Sequence, residues 1–208
     1  PLIDVYLTGK ELKLAAEVDA SVSDFMTTAR LYCSGLNFTF NPHRMILNKV
    51  TDCYLTREDG ERIEIQDDQL YRVVTDLYTG QMLGSVMEMS YGLLKIEPKD
   101  KDGNPIENLE DQAIMEGDKE LKAWDAIARY MKSFDDTDGN GISNVPEYYE
   151  TTHGRKVVDE SRNVIDLVKN PNKFSVMIVG IVLVLILIII LLVVLIRKLI
   201  KKRRRKKK

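Results

Sequence analysis

The chain has 208 residues, and its 30 Lys and Arg nearly balance 32 Asp and Glu, for a formal net charge of −2. Residues 174–196 carry no charge and residues 197–208 carry ten basic residues, so removing the tail leaves residues 1–173 with 20 basic against 32 acidic residues, a net of −12. An acidic body, an apolar rod and a basic tail exclude a nucleic-acid polymer as the partner of the whole chain, and 7% aromatic with 44% hydrophobic residues exclude a disordered one.

In chain order, Leu2–Leu7 reads as a strand, and Thr8 with Glu11 forms a capping box that opens a helix through Leu14 and Val18. Arg30–Asn41 is a second extended run. Pro42-His43-Arg44 breaks it, and Lys49–Thr56 follows as its antiparallel partner. Asp59-Gly60 is a hairpin turn leading to Arg62–Ile65. Tyr71–Thr75 reads as a short buried strand, Leu77–Met89 as a helix with Tyr78, Met82, Val86 and Met89 on one stripe, and Leu93–Ile96 as strand-like. Pro98–Asn104 is a loop. Leu121, Trp124, Ile127, Ala128 and Met131 mark an amphipathic helix from about Asp118 to Phe134, with Trp124 as its expected core anchor. The order predicts an α+β fold, a mixed or antiparallel sheet with packed helices, over residues 1–155.

Residues 156–173 read as a stalk with a short helix near Val164–Val168 and a stop at Asn170-Pro171. Phe174–Ile196 follows: 23 residues broken only by Ser175 and Gly180, a helix of about 34 Å against a hydrocarbon core of about 30 Å. The basic tail, 197–208, places the C-terminus in the cytoplasm and the body outside a single-pass cell membrane. The tail suits a plain stop-transfer signal and also a grip on anionic lipid. No signal sequence precedes Pro1, so the chain is expected to be the C-terminal piece of a longer exported precursor.

The sharpest chemical signal is Asp136–Glu147. Asp136, Asp138, Asn140, Asn144 and Glu147 put oxygens at positions 1, 3, 5, 9 and 12, Ile142 offers its carbonyl at position 7, and Gly141 stands at position 6. That is the spacing of a twelve-residue calcium loop, similar also to the calcium repeats of extracellular modules. A polar turn between helix and stalk is the alternative; any calcium would brace the stalk and not catalyse. His43 and His153 lie about 110 residues apart without carboxylates beside them, so no catalytic set is expected in 1–173. Cys33 and Cys53 are equidistant from His43, which suits either a cross-strand disulfide or two free thiols.

Three strings resemble one family. Asp4-Val5-Tyr6-Leu7-Thr8-Gly9-Lys10-Glu11-Leu12-Lys13 resembles the strand–Gly–helix entry of the C-terminal, substrate-specificity domain of bacterial 5'-nucleotidases. Ser34–Asn41 resembles its "SGL" strand, and Tyr71–Asp76 the strand before its nucleoside-binding loop; the Trp124 helix and the Gly154-Arg155 ending are similar to clostridial members. The resemblance implies an N-terminal metallophosphatase domain, upstream of Pro1, that holds the divalent metals for catalysis. It implies that this part holds the nucleoside or nucleotide, with Tyr78 as one of two base-stacking rings and the other upstream. Packing in a helix face is the competing reading of Tyr78. Arg44 and Arg30 are candidate phosphate or ribose contacts. The family's Gly-Gly-Asp-Gly turn is replaced by Thr79-Gly80-Gln81-Met82, which puts purine specificity in doubt and leaves a non-catalytic, calcium-braced spacer or binding module as the alternative.

Overall fold

The computed structural model describes residues 1–27, 30–90, 92 and 94–206. The first strand, β1 (Leu2–Thr8), buries Ile3, Val5 and Leu7 on one face, as an alternating apolar pattern requires. Thr8 caps helix α1 (Gly9–Val22): its hydroxyl accepts the Glu11 N–H while the Glu11 carboxylate accepts the Thr8 N–H at 2.8 Å. Gly9 is required here, because a Cβ would meet the Gln66 carbonyl oxygen at 2.1 Å.

Ten of the fourteen α1 residues are buried, which makes it the central helix. Leu12 and Ala15 pack on Leu7 and Ile96; Ala16 and Ala20 pack on Phe38; Val18 packs on Leu94 and Phe174. The small alanines let β2 (Leu36–Phe40) approach the helix. Antiparallel β3 (Val50–Thr56) and β4 (Arg62–Glu64) extend β2 on one side, and β5 (Leu70–Asp76) pairs antiparallel with β1 in a separate ladder. Helix α2 (Leu77–Met89) follows β5.

Three carboxylates pin α1 to the loops around it. Glu11 accepts from Lys99 Nζ at 2.6 Å and the Glu97 N–H; Glu17 accepts from the Lys49 and Val50 N–H groups and from Ser21 Oγ; Asp19 meets Lys156 Nζ at 2.5 Å and accepts the Leu31 N–H. Each buried charge thus has charge-assisted or backbone partners, the condition for tolerating it.

Beyond residue 97 the structure thins. A hairpin of β6 (Met115–Glu116) and β7 (Lys119–Glu120) leads into α3 (Ala123–Lys132), which has no buried residue. Trp124 is 72% exposed, so it is not the core anchor that its helical spacing predicts. The stripe Trp124, Ile127 and Met131 is real, but no described element covers it. The helix also starts later than Asp118, because residues 119–120 close the hairpin. Three other expectations change. The extended run contracts to Leu36–Phe40, after a bend at Ser34-Gly35. Strand β5 is half-exposed, since only β1 pairs with it. Leu94–Ile96 forms no strand, although Leu94 and Ile96 are buried; Leu93 and the tail residues 207–208 lie outside the described residues.

The segment read as a stalk lies against the body. Strand β8 (Lys156–Val158) adds in parallel to β2. Asn41 Nδ2 donates to the Ser161 carbonyl, and α4 (Val164–Val168) follows. Helix α5 (Lys173–Lys206) is long and apolar enough to cross a bilayer, with a mean hydropathy of 3.9 over an 18-residue apolar stretch, none of it buried.

Candidate functional site

The switch from β5 to α2 places Tyr78. Asp76, the residue before the helix, accepts the Thr79 N–H at 2.9 Å and the Thr79 hydroxyl at 2.6 Å, which caps α2 and fixes its first turn. Burial pushes the Asp76 carboxyl up, but the Thr79 hydroxyl and the N–H groups of Thr79, Asp76 and Tyr78 together outweigh it and hold the group below the usual aspartate range. Gly80 brings α2 onto β1, since a Cβ there would meet Ile3 Cδ1 at 2.7 Å. With its first turn held at both points, α2 presents the Tyr78 ring to solvent at 63% exposure. Full packing in a helix face, the competing reading of that spacing, is therefore not what the ring does.

Beneath the ring lies an apolar cleft of about 60 Å³, lined by Met26, Leu31, Met82, Val86 and Ile96 among others. It is far smaller than the roughly 300 Å³ at which ligand pockets begin. A planar base therefore suits the exposed ring face and not the cleft interior, and an offset stack on tyrosine needs only one free face. Arg30 precedes the cleft residue Leu31 and is exposed. Arg44 is elsewhere. It is buried, and its guanidinium donates through Nε to the Asn48 carbonyl at 2.7 Å, through Nη1 to that of Asp166 at 2.5 Å and through Nη2 to that of Lys169 at 2.6 Å. The structure thus commits Arg44 to the segment before α5, and Arg30 adjoins the cleft in sequence without lining it. Asp76 escaped the sequence reading, although an Asp three residues before Thr79 at a strand-to-helix switch is a capping signal.

In the loop 135–146, Asp136 is the hub: Oδ1 accepts the Gly139 and Asn140 N–H groups and Oδ2 the Gly141 N–H at 2.8 Å. Those donors, Gly141 first, hold its carboxyl below the usual range against a smaller effect of burial. Asp138 accepts from Asn140 Nδ2, Asn140 Oδ1 accepts the Ile142 N–H, and Asn144 Oδ1 accepts the Thr137 N–H. Gly141 takes φ +85°. Glu147 opens a 3-10 turn, Glu147–Glu150. Among the described residues no three His, Cys, Asp or Glu side chains converge as a metal cluster. The turn next to the loop carries an aromatic group: Tyr149 and Tyr130 share a hydrogen bond through their hydroxyls, and Tyr148 stacks on His153 at 3.9 Å.

Cys33 and Cys53 are free. The β2–β3 register pairs Phe38 with Cys53, so the hairpin is not centred on His43 and the two cysteines do not face each other. Burial pushes the Cys53 thiol up to about 12 and raises Cys33 as well, so both stay protonated and unreactive near neutral pH.

Residues 1–90 match the family model described as 5'-nucleotidase, C-terminal domain. Among solved structures, the chain is similar to a 5'-nucleotidase precursor from Thermus thermophilus, at 19% identity and a TM-score of 0.48 over 77% of this chain and 25% of that one. It is also similar to the NAD nucleotidase of Haemophilus influenzae, at 20% identity and a TM-score of 0.34 over 48% of this chain and 18% of that one. The chain thus spans a quarter or less of these proteins. No curated protein matches it.

Proposed function

We infer that this chain, whose residues 1–90 match the family model of the 5'-nucleotidase C-terminal domain, is the nucleotide-binding part and membrane anchor of a cell-surface phosphohydrolase of nucleotide catabolism. The observation that carries the reading is the exposed Tyr78 ring on a capped, tightly seated α2 at the end of β5. Catalysis and its divalent metals belong, in this reading, to a metallophosphatase domain of the same precursor; this chain's task is to orient the nucleoside. Tyr78 would stack the base, with Arg30, which adjoins the cleft in sequence, toward ribose or phosphate. Calorimetric titration of AMP and adenosine into the full chain tests this. A single saturable site that weakens about three- to tenfold in Tyr78→Ala is expected, the loss of one stacked pair; equal affinity in the variant removes Tyr78 from the site.

The anchor is α5, with the body outside and the basic tail in the cytoplasm. Protease added to sealed, right-side-out cells should remove the body and spare the tail.

Calcium is proposed at Asp136, Asp138, Asn140, Ile142, Asn144 and Glu147, where Gly141 and the Asp136 hub already turn the loop and Glu147 opens the 3-10 turn that follows. Because Tyr149 sits in the turn that Glu147 opens, calcium is expected to change the near-ultraviolet circular dichroism, and Asp136→Asn to abolish the change. A second reading, a calcium-braced surface module that binds no nucleotide, is favoured by the Thr79-Gly80-Gln81-Met82 departure from the family turn. Calcium binding without AMP or adenosine binding would decide for it.

A further inference from the structure

A groove of about 500 Å³ lies between α1 and β3, bounded at one end by the residues that lead into α5. Its carboxylates are committed elsewhere. Glu17 accepts three hydrogen bonds, and Asp52 and Glu64 both hold Arg62, through Nη1 and Nη2 at 2.9 Å and Nε at 2.6 Å respectively. Its cations are less engaged. Lys13 meets Asp67, but among the described residues Lys10 and Lys173 pair with no carboxylate; Lys173 Nζ lies 4.8 Å from the Phe174 ring centroid. Asn48, more than nine-tenths buried, accepts the Asn172 N–H through Oδ1 at 3.3 Å, and its Nδ2 donates to no protein acceptor among the described residues. The groove therefore offers two ammonium groups with no carboxylate partner among the described residues and the amide donor of a mostly buried asparagine.

The α5 end of the groove is also where the backbone is strained. Leu47 (φ +60°) and Asn170 (φ +49°) are the two non-glycine residues at positive φ among those described. Both belong to the junction: the Leu47 carbonyl accepts from Asn172 Nδ2, and Arg44 ties the 41–48 loop to the carbonyls of Asp166 and Lys169. Such conformations persist only where the surroundings over-determine them, and they gather at binding sites. Phe174 and Ser175, the first turn of α5, are buried against the body, and the Ser175 hydroxyl has no partner. The groove is thereby held at the end of α5 that meets the body, the level of the lipid head groups if α5 spans a bilayer.

We propose that this groove holds the phosphate of a phospholipid head group from the leaflet that α5 enters, with Lys10 and Lys173 as its cations and Asn48 as its neutral donor. The inference rests on the membrane-anchor reading and goes beyond it: the body does not hang from its anchor but reads the lipid beside it. Phosphate-ester chemistry is shared by soluble phosphates, so the test has two arms.

The full chain is reconstituted into vesicles of phosphatidylcholine with one-fifth phosphatidylglycerol, extracted in mild detergent, and weighed by native mass spectrometry. The wild type should retain one phospholipid. The Lys10→Gln/Lys173→Gln variant, whose changed side chains are exposed, should retain it about tenfold less, the loss of charge-assisted contacts to one phosphate. In the second arm glycerol 3-phosphate is added to the extracted protein; displacement of the lipid only at a large excess is expected. Chain that floats with vesicles yet retains no lipid, or retains it equally in the variant, overturns the proposal and leaves the anchor reading intact. Chain that does not float overturns both. A groove that takes glycerol 3-phosphate and never lipid is a soluble-anion site, which also overturns it.

Discussion

The α1-centred region, residues 1–96, and the region from Pro98 to Val158 are built on opposite economies of surface. Apart from Phe174, the buried apolar side chains among the described residues all come from the first: Ile3, Val5, Leu7, Phe38 and Ile96 around one helix. The second has an equally apolar stripe in Trp124, Ile127 and Met131, yet leaves it in solvent and holds itself by exposed ion pairs such as Arg129 with Glu116 and Asp125. Exposed pairs contribute about 0–1 kcal/mol each, whereas a fully buried aromatic contributes several times that. Amphipathic spacing therefore records that a face is apolar; whether the face is core depends on an opposing element that spacing cannot show.

That contrast breaks most sharply under matched truncations. Phe38→Ala should destabilise the body by about 3–5 kcal/mol in a urea unfolding series, because Ala16 and Ala20 cannot collapse into the space. Next is Glu17→Ala, which strands the Lys49 and Val50 N–H groups and should cost about 1–3 kcal/mol in the same series. The third effect is in pH. Burial raises the Glu11 carboxyl, but the Lys99 ammonium and the Thr8 donors outweigh it, so its folded pKa lies below its unfolded one. Its contribution is then complete above the ordinary glutamate range and is lost as pH falls through the depressed value. Urea midpoints should fall with acid through that window, and Glu11→Gln should flatten the slope. The smallest effect belongs to Trp124→Ala, within about 0.5 kcal/mol, since the ring is already wet. A loss near that of Phe38→Ala would contradict the contrast and demand a partner for α3.

Where residues act locally, the sequence announced the structure. Thr8 and Glu11 make a capping box whether or not the rest folds, and the β2–β3 pair and the Asp59-Gly60 turn follow from breaks and alternation. Tyr78 came from a family resemblance, and the structure supplied what pattern could not, namely that its ring faces solvent above a cleft. The cysteine symmetry misled because register is set by the turn and by the bulge between Thr39 and Phe40, not by equal spacing from His43. Arg44 was unreadable for a different reason. Its carbonyl partners at Asp166 and Lys169 lie more than 120 residues away, and a backbone acceptor leaves no mark in residue type.

We infer that a nucleoside base stacks on Tyr78. The most direct measurement is the proton NMR shift of the Tyr78 ring, assigned by comparison with Tyr78→Phe, as adenosine is titrated into the full chain in detergent micelles. Stacking predicts that the ring resonances move upfield and saturate with one ligand equivalent, with smaller shifts at Leu31 and Met82 beneath the ring. A stationary Tyr78 ring at adenosine concentrations that saturate binding elsewhere, or no binding at all, would contradict the claim.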